Sequence, residues 1–367
     1  MDRQSDMLML DWLEYRTRGK APLLYGLMNL LLVFCLKVMT EKFYYVFPIV
    51  LLTAQSLFTI LVLSYFRVRG YLSVPRMYEF TRAKYLLYPS LIYYAYVFYQ
   101  LWYVYEEYLP QYYMYKSWVP VMYLFVRQSM RRSGERFMPG FITPNRLSTI
   151  AMMIVCIAGT FAVPSRLVHE VSDDDLAAAY FDTGLDTRSL THGLFGALLQ
   201  VAALVYMEKA IQEQNITPIE ALYYNAIHAF VFFLAIDLFN DEIVDSFLYV
   251  KNSWFTSGWT FWIAFFFTCT IPCLMNLAMF QCMAHRCTIN LCVVGCVKTM
   301  FHPYIGDAVG LYFISDPNPT FVNYMGVGVG LLAAVFYTAA WRLGEGARGR
   351  DRVIDVDQRK INKLMQC

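Results

Sequence analysis

A lysine inside an apolar run is the first residue of this chain whose type and position call for an explanation. The stretch Thr288 to Tyr304, TINLCVVGCVKTMFHPY, sets Lys298 among apolar neighbours three residues after Gly295. A cation at bilayer depth costs roughly 2.5–3.5 kcal/mol even on the gentler insertion scales, so it persists only beside a wet cavity or a counter-charge. The plainer alternatives are a short surface helix, or a side chain that snorkels to a membrane interface. Gly295 lies on nearly the same helix face and removes a side chain where a ligand could approach the backbone. A second constellation is Tyr223-Tyr224-Asn225-Ala226, with His228 one turn later. An amide beside two phenols suits a planar base, because the rings can stack while Asn225 offers donor and acceptor together. The same residues would also serve as an interfacial aromatic belt with Asn225 capping a helix. Paired with such a base site, Lys298 supplies a cation for phosphate.

The elements that must position these residues are membrane helices. With 58% hydrophobic, 17% aromatic and only 16% charged residues, the 367-residue chain falls well below the charge content of a soluble domain, about a quarter. Apolar spans of about 20 residues are expected near 21–40, 46–66, 84–105, 112–130, 147–165, 190–209, 219–240, 257–283, 288–312 and 320–342. Backbone groups in lipid must bond within their own segment, so spans this long and apolar are helices, and the fold class is an all-α membrane protein. Ten spans put both termini on one side.

Charge in the connections sets the orientation. Arg67, Arg69, Arg76 and Arg82 lie between spans two and three, and Arg131, Arg132, Arg136 and Arg146 between four and five. The alternate connections are acidic, with Glu106 and Glu107, then Asp173 to Asp175 with Asp182 and Asp186, then Asp241, Glu242 and Asp245. Lys and Arg mark the cytosolic side, so both termini are expected there. The tail agrees, carrying Arg348, Arg350, Arg352, Arg359 and Lys360. The net charge of +2 therefore conceals segregation by side, and nucleic acid is not implied.

The expected organisation is a cytosolic segment 1–20, a ten-helix membrane domain 21–342 with halves near 21–165 and 190–342, and a basic cytosolic tail 343–367. An odd number of spans per half inverts the second copy, an architecture that holds substrate near the midplane at the repeat interface. The first 20 residues mix Asp2, Asp6, Asp11 and Glu14 with Arg3, Arg16 and Arg18, so the first span is expected to act as the targeting signal. Cys269, Cys273, Cys282, Cys287, Cys292 and Cys296 cluster in or beside spans eight and nine and are expected as small packing residues. No spacing suggests a metal or cofactor. Asn215-Ile216-Thr217 fits the glycosylation pattern but is expected on the cytosolic side and unmodified. Gly326, Gly328 and Gly330 offer a small-residue face for close helix packing.

In order and membrane placement these motifs resemble the nucleotide-sugar transporters of the drug/metabolite transporter superfamily, the solute carrier 35 type. Leu222 to Ala226 resembles that family's aromatic-Tyr-Asn nucleobase motif, and Val293 to Lys298 its Gly-x-x-(x)-Lys sugar-phosphate motif. Phe47-Pro48 with Gln55 resembles its FP…Q, and Pro120 with Arg127 its Pro…Arg-Arg. The likeness runs over roughly residues 20–342. It implies a ten-helix exchanger of the Golgi or endoplasmic reticulum membrane that imports a nucleotide sugar and returns the nucleoside monophosphate, as a monomer or a homodimer. On that carry-over Tyr223, Tyr224 and Asn225 would meet the base, Gly295 and Cys296 the sugar and Lys298 the phosphates, with Lys37 and Arg127 as secondary contacts. The chain departs from the pattern at Leu36-Lys37, where the family often has Asn-Lys, and at Val126-Arg127, where two arginines are expected. Ala226 stands where GDP-sugar carriers have a second Asn, which favours a UDP-sugar and the D-type branch; GDP-mannose or GDP-fucose is the alternative. Two other classes compete. A lipid-linked transferase would need metal-binding carboxylates at a cytosolic face, and the cluster Asp173 to Asp175 is expected on the luminal side. A non-transporting trafficking protein would use the basic tail and have no need of Lys298.

Overall fold

The computed structural model describes residues 20–70, 78–105, 114–132, 144–162, 187–308 and 321–364. The first 19 residues, Arg76, Glu106, Glu107, Glu135, Arg136 and the acidic stretch 173–186 lie outside the described residues, as do the side chains of Arg131, Arg132 and the tail beyond Gly344. The described residues are helical and contain no strand. The helices are α1 (Ala21–Glu41), α2 (Pro48–Val68), α3 (Phe80–Tyr105), α4 (Val119–Arg132), α5 (Arg146–Ala162), α6 (Thr187–Glu213), α7 (Pro218–Asn240), α8 (Glu242–Asn252), α9 (Trp259–Ala284), α10 (Thr288–Ala308) and α11 (Phe321–Leu364).

Six stretches among the described residues are long and apolar enough to cross a membrane: Ala21–Glu41, Pro48–Val68, Thr191–Glu213, Pro218–Asn240, Trp259–Ala284 and Phe321–Gly344. Arg146–Ala162 and Thr288–His302 are apolar but shorter. The two other expected spans fall on α3, whose apolar character is diluted by tyrosines, and on α4, which has 14 residues and five polar residues among its last six. Helix α8 is an addition, since its acidic start reads as a loop. At 1.5 Å per residue, the 44 residues of α11 extend about 66 Å, so the helix outruns a hydrocarbon core of about 30 Å and continues into the tail.

Local chemistry fixes the ends. Pro22, Pro48 and Pro218 sit in the first turns of α1, α2 and α7, where a missing N–H costs nothing. Helix α7 starts in a capping box, with the Thr217 hydroxyl accepting from Glu220 N and the Glu220 carboxylate accepting from Thr217 N. It stops at Asp241, whose φ of 53° ends the helix in the left-handed region, and Asp237 Oδ1 accepts Ile243 N at 2.8 Å to open α8. Glu242 then takes two backbone donors of α2, Ile49 N at 2.7 Å and Val50 N at 3.2 Å, so a carboxylate answers the positive end of that helix. Burial nonetheless holds the Glu242 carboxyl above its ordinary value.

Pro272, inside α9, cannot donate to the carbonyl four residues earlier. That carbonyl belongs to Thr268, and Gln55 Nε2 of α2 donates to it at 3.2 Å, so a side chain from a neighbouring helix supplies the missing rung.

The helices pair across the two halves of the chain. The closest neighbours are α1 with α9, α2 with α7, α3 with α6 and α5 with α11, and α10 packs on α1, α5 and α4. Small residues allow the tightest approaches: Gly26 of α1 lies against Val294 of α10, and Gly330 of α11 against Met300. The expected glycine face holds at Gly326 and Gly330, four residues apart, whereas Gly328 points away from it into open space. A Cβ at Gly326 would stand 2.6 Å from the Ala162 backbone nitrogen, and backbone cannot move aside as a flexible side chain does. Gly326→Val should therefore destabilise the protein by about 3 kcal/mol or more through overpacking. Gly328→Val should stay within about 1 kcal/mol, since it meets nothing and a β-branched residue is no worse than Gly in a helix. Thermal unfolding of the two variants in detergent checks the contrast.

Candidate functional site

Lys298 faces the interior of the bundle. Only 6% of it is exposed, and its ammonium donates to Asn29 Oδ1 on α1. Asn29 Nδ2 in turn donates to Tyr25 Oη at 3.4 Å, one turn earlier on the same helix. An amide oxygen is a neutral acceptor, so this arrangement solvates the cation without cancelling its charge. The bundle thus keeps a basic side chain in its interior.

Around this pair lie three small cavities in a row. The first, about 10 Å³, is lined by Tyr25, Lys116, Val119, Gln200, Cys292, Gly295, Cys296 and Lys298. The second, about 60 Å³, shares Tyr25 with it and adds Asn29, Gln55, Tyr93, Tyr96 and Gln100. The third, also about 60 Å³, shares Gln55 and Tyr93 with the second and reaches Asn225, Ala226, Tyr94, Ser56, Thr59, Pro272 and Asn276. Shared walls carry the row from Lys298 on α10 to Asn225 on α7. The smallest has room for about one water and the larger two for a few each. Drug-sized ligands occupy about 300–1,000 Å³, so a ligand of that class enters only if the helices part.

At the Lys298 end, Gly295 does what its missing side chain allows: a Cβ there would meet nothing within 4 Å. Cys296 lines the same hollow and directs its thiol to Val155 O of α5 at 3.8 Å. Lys116 is a second cation in this wall, 5% exposed, with its ammonium 5.3 Å from the centre of the Tyr96 ring. At the other end, Asn225 Nδ2 donates to the Tyr94 hydroxyl, which donates onward to Asn225 O at 3.0 Å. Asn225 is thereby held rigid in mid-helix rather than at a cap, and among the described residues its buried Oδ1 has no hydrogen-bond partner. Asn225 lines the third cavity, so a buried acceptor with unused capacity belongs to a residue of its wall.

The remaining expected residues sit elsewhere. Tyr223 and Tyr224 are buried but turn away from the three cavities, and Tyr224 packs edge-on against Tyr78 with ring centres 5.6 Å apart. The helical period explains this, since Leu222, Asn225, Ala226 and Phe233 share the cavity face and Tyr223 and Tyr224 flank it. His228 is held between Tyr78 Oη at 2.6 Å and Ser90 Oγ at 3.2 Å. Lys37 pairs with Glu41 at 3.3 Å, and Arg127 with Glu208 of α6 at 3.2 Å; neither lines one of these three cavities. Among the described residues no group of His, Cys, Asp or Glu is arranged to hold a metal ion. Asn29, Lys116, Gln200, Tyr94 and Glu208 are the participants that sequence reasoning passed over. The signal for Asn29 and Gln200 was the one that exposed Lys298, a polar group inside an apolar run.

The chain matches no known protein-family model. A curated relative, the UDP-sugar transporter UST74c of Drosophila melanogaster, is 21% identical over 205 residues. The match takes in 55% of this chain and 53% of the relative, so the chain spans about half the length of the curated protein that it matches.

Removing the acceptor of a buried amine leaves its donor unsatisfied, a loss of about 1–3 kcal/mol, whereas removing both partners costs far less. Asn29→Ala should therefore lower thermal stability in detergent more than the double variant Asn29→Ala with Lys298→Met. Equal or additive losses would show that the two side chains do not depend on each other.

Proposed function

We propose that this chain is a nucleotide-sugar antiporter of the Golgi or endoplasmic reticulum membrane, exchanging a UDP-sugar for the nucleoside monophosphate by alternating access. The observation that carries the proposal is the row of cavities joining two buried lysines at one end to an open amide acceptor at the other. A nucleotide sugar has the same order of parts, with a planar base at one end and a charged diphosphate linked to a sugar at the other. Lys298 and Lys116 answer the phosphates, Gly295 and Cys296 leave room for the sugar, and Asn225 Oδ1 accepts an N–H of the base while Tyr223 and Tyr224 hold its helix from behind. Ala226 beside Asn225 offers an apolar wall where guanine would want a further hydrogen-bonding group, which favours uracil. The distant UDP-sugar transporter relative supports the same substrate class, and it is a carrier, not an enzyme.

The architecture we propose is ten membrane helices in two inverted halves, α1 to α5 and α6 with α7, α9, α10 and α11. Pairing supports it. If each of the first five helices is exchanged for its counterpart, the contact of α1 with α9 becomes that of α6 with α3. The contacts of α2 with α7 and of α5 with α11 map onto themselves. Two such halves can rock about the cavity row and expose it to one side and then the other. Asn29 keeps Lys298 solvated when the carrier is empty, and the phosphate takes over that role when it is loaded.

Proteoliposomes preloaded with UMP or GMP and offered labelled nucleotide sugars test the proposal. UMP should drive uptake of a UDP-sugar, and Lys298→Ala and Lys116→Met should each reduce it at least about thirtyfold, the loss of about 2 kcal/mol for a desolvated charge contact. Counterflow with GMP alone would replace uracil by guanine. Full activity of a trafficking kind in Lys298→Ala, with no uptake by the intact chain, would remove the carrier assignment.

A further inference from the structure

Arg127 and Glu208 form an ion pair in the bundle interior, with side chains 4% and 1% exposed. Around Glu208 a polar network ties three helices together. The Arg127 guanidinium of α4 donates to Oε1 at 3.2 Å and the Tyr123 hydroxyl, also of α4, donates to Oε2. Gln212 Nε2 of α6 donates both to Glu208 Oε1 at 3.0 Å and to Met283 O at the end of α9, at 2.9 Å.

The network lies at a definite level. On α4, Val119 lines the cavity that contains Lys298, and Tyr123 and Arg127 follow on the same face one and two turns later. On α6, Gln200 lines that cavity, and Leu204 and Glu208 follow in the same way, both buried. Eight residues along each helix is about 12 Å. Both helices point their C-terminal ends the same way, toward the arginine-rich end of α4. The pair therefore lies about two turns beyond the Lys298 cavity, toward the end of α4 that carries the arginines.

Stability does not explain such a device, because replacing a buried ion pair with apolar residues of similar volume is often neutral or stabilising. A seam of charges differs from an apolar seam in one respect: when the helices part, its groups are taken up by entering water. We infer that Arg127, Glu208, Tyr123 and Gln212 form a separable gate over the cavity, with Arg127 engaged by Glu208 rather than by the substrate. The gate serves the carrier function proposed above, but it can be read without any substrate.

The experiment follows Cys292, which lines the cavity. The full chain in vesicles is treated with a membrane-impermeant maleimide from the side of the basic connections, and labelling is read peptide by peptide. Arg127→Met and Glu208→Gln should each raise the rate at Cys292 about tenfold, and the reversed pair Arg127→Glu with Glu208→Arg should return it to within about threefold of the original. Tyr123→Phe, which keeps both charges, should give a smaller rise and covers the case in which the reversed pair fails to fold. Unchanged labelling in Glu208→Gln and Tyr123→Phe would overturn the gate, as would an equal rise from both sides of the membrane, which marks general loosening. Lack of exchange by the unaltered chain together with the expected labelling pattern would count against the carrier and leave the gate standing.

Discussion

Lys298 imposes the constraint on which the rest of the molecule depends. A lysine among apolar helices is tolerable only if something polar reaches its amine, and Asn29 of α1 does so from the opposite wall. That contact draws α1 against α10, where Gly26 makes room for Val294, and it fixes the depth at which Tyr25 and Lys116 close the same hollow. The acceptor is an amide rather than a carboxylate, so no opposite charge is paired with Lys298. Glu208, the carboxylate of the same interior, is kept two turns away and fully engaged by Arg127 and Tyr123.

The polar interior is graded. Around Lys298 and Lys116 the groups are cationic, along the middle cavity they are the amides of Asn29, Gln55 and Gln100, and at Asn225 they are an amide set among tyrosines. An elongated molecule with a charged end and a flat, hydrogen-bonding end meets matching chemistry along that axis. The hollows themselves are water-sized, and their walls are rigid pairs such as Tyr93 Oη on Asn276 Oδ1 at 2.6 Å, so accommodation comes from displacement of whole helices.

Much of this was legible in the sequence, for physical reasons that differ from residue to residue. The helical character and the inward face of Lys298 followed from the cost of a charge in lipid, which leaves few alternatives. Asn225 was recognisable for the same reason, but the phase of its helix was not, and phase decides that Tyr223 and Tyr224 turn aside while Ala226 and Leu222 face the cavity. Glu208 escaped notice because the expected span ended at 209, making it a boundary charge; the helix runs on to Glu213 and carries the carboxylate inside. Lys116 lay in a run crowded with tyrosines, where an interfacial position was the natural inference. Arg127 was expected as a secondary substrate contact, and no single sequence reveals that its partner lies 81 positions away. The match with the fly sugar carrier, 21% identical, bears on the substrate class but not on these contacts.

The interrupted ladder at Pro272 has a mechanical consequence. With one rung of α9 furnished by Gln55 of α2, the helix is two stiff levers joined by a stitch that a neighbouring segment can release. Bending there would swing Met275 and Asn276 relative to the half that ends at Thr268 without unwinding a turn, because the contacts that hold this point are side-chain ones, Gln55 on Thr268 O and Tyr93 on Asn276. A membrane helix that flexes at a borrowed bond can reshape the wall of a cavity at the expense of side-chain contacts, while both of its ends stay anchored in the surrounding bundle.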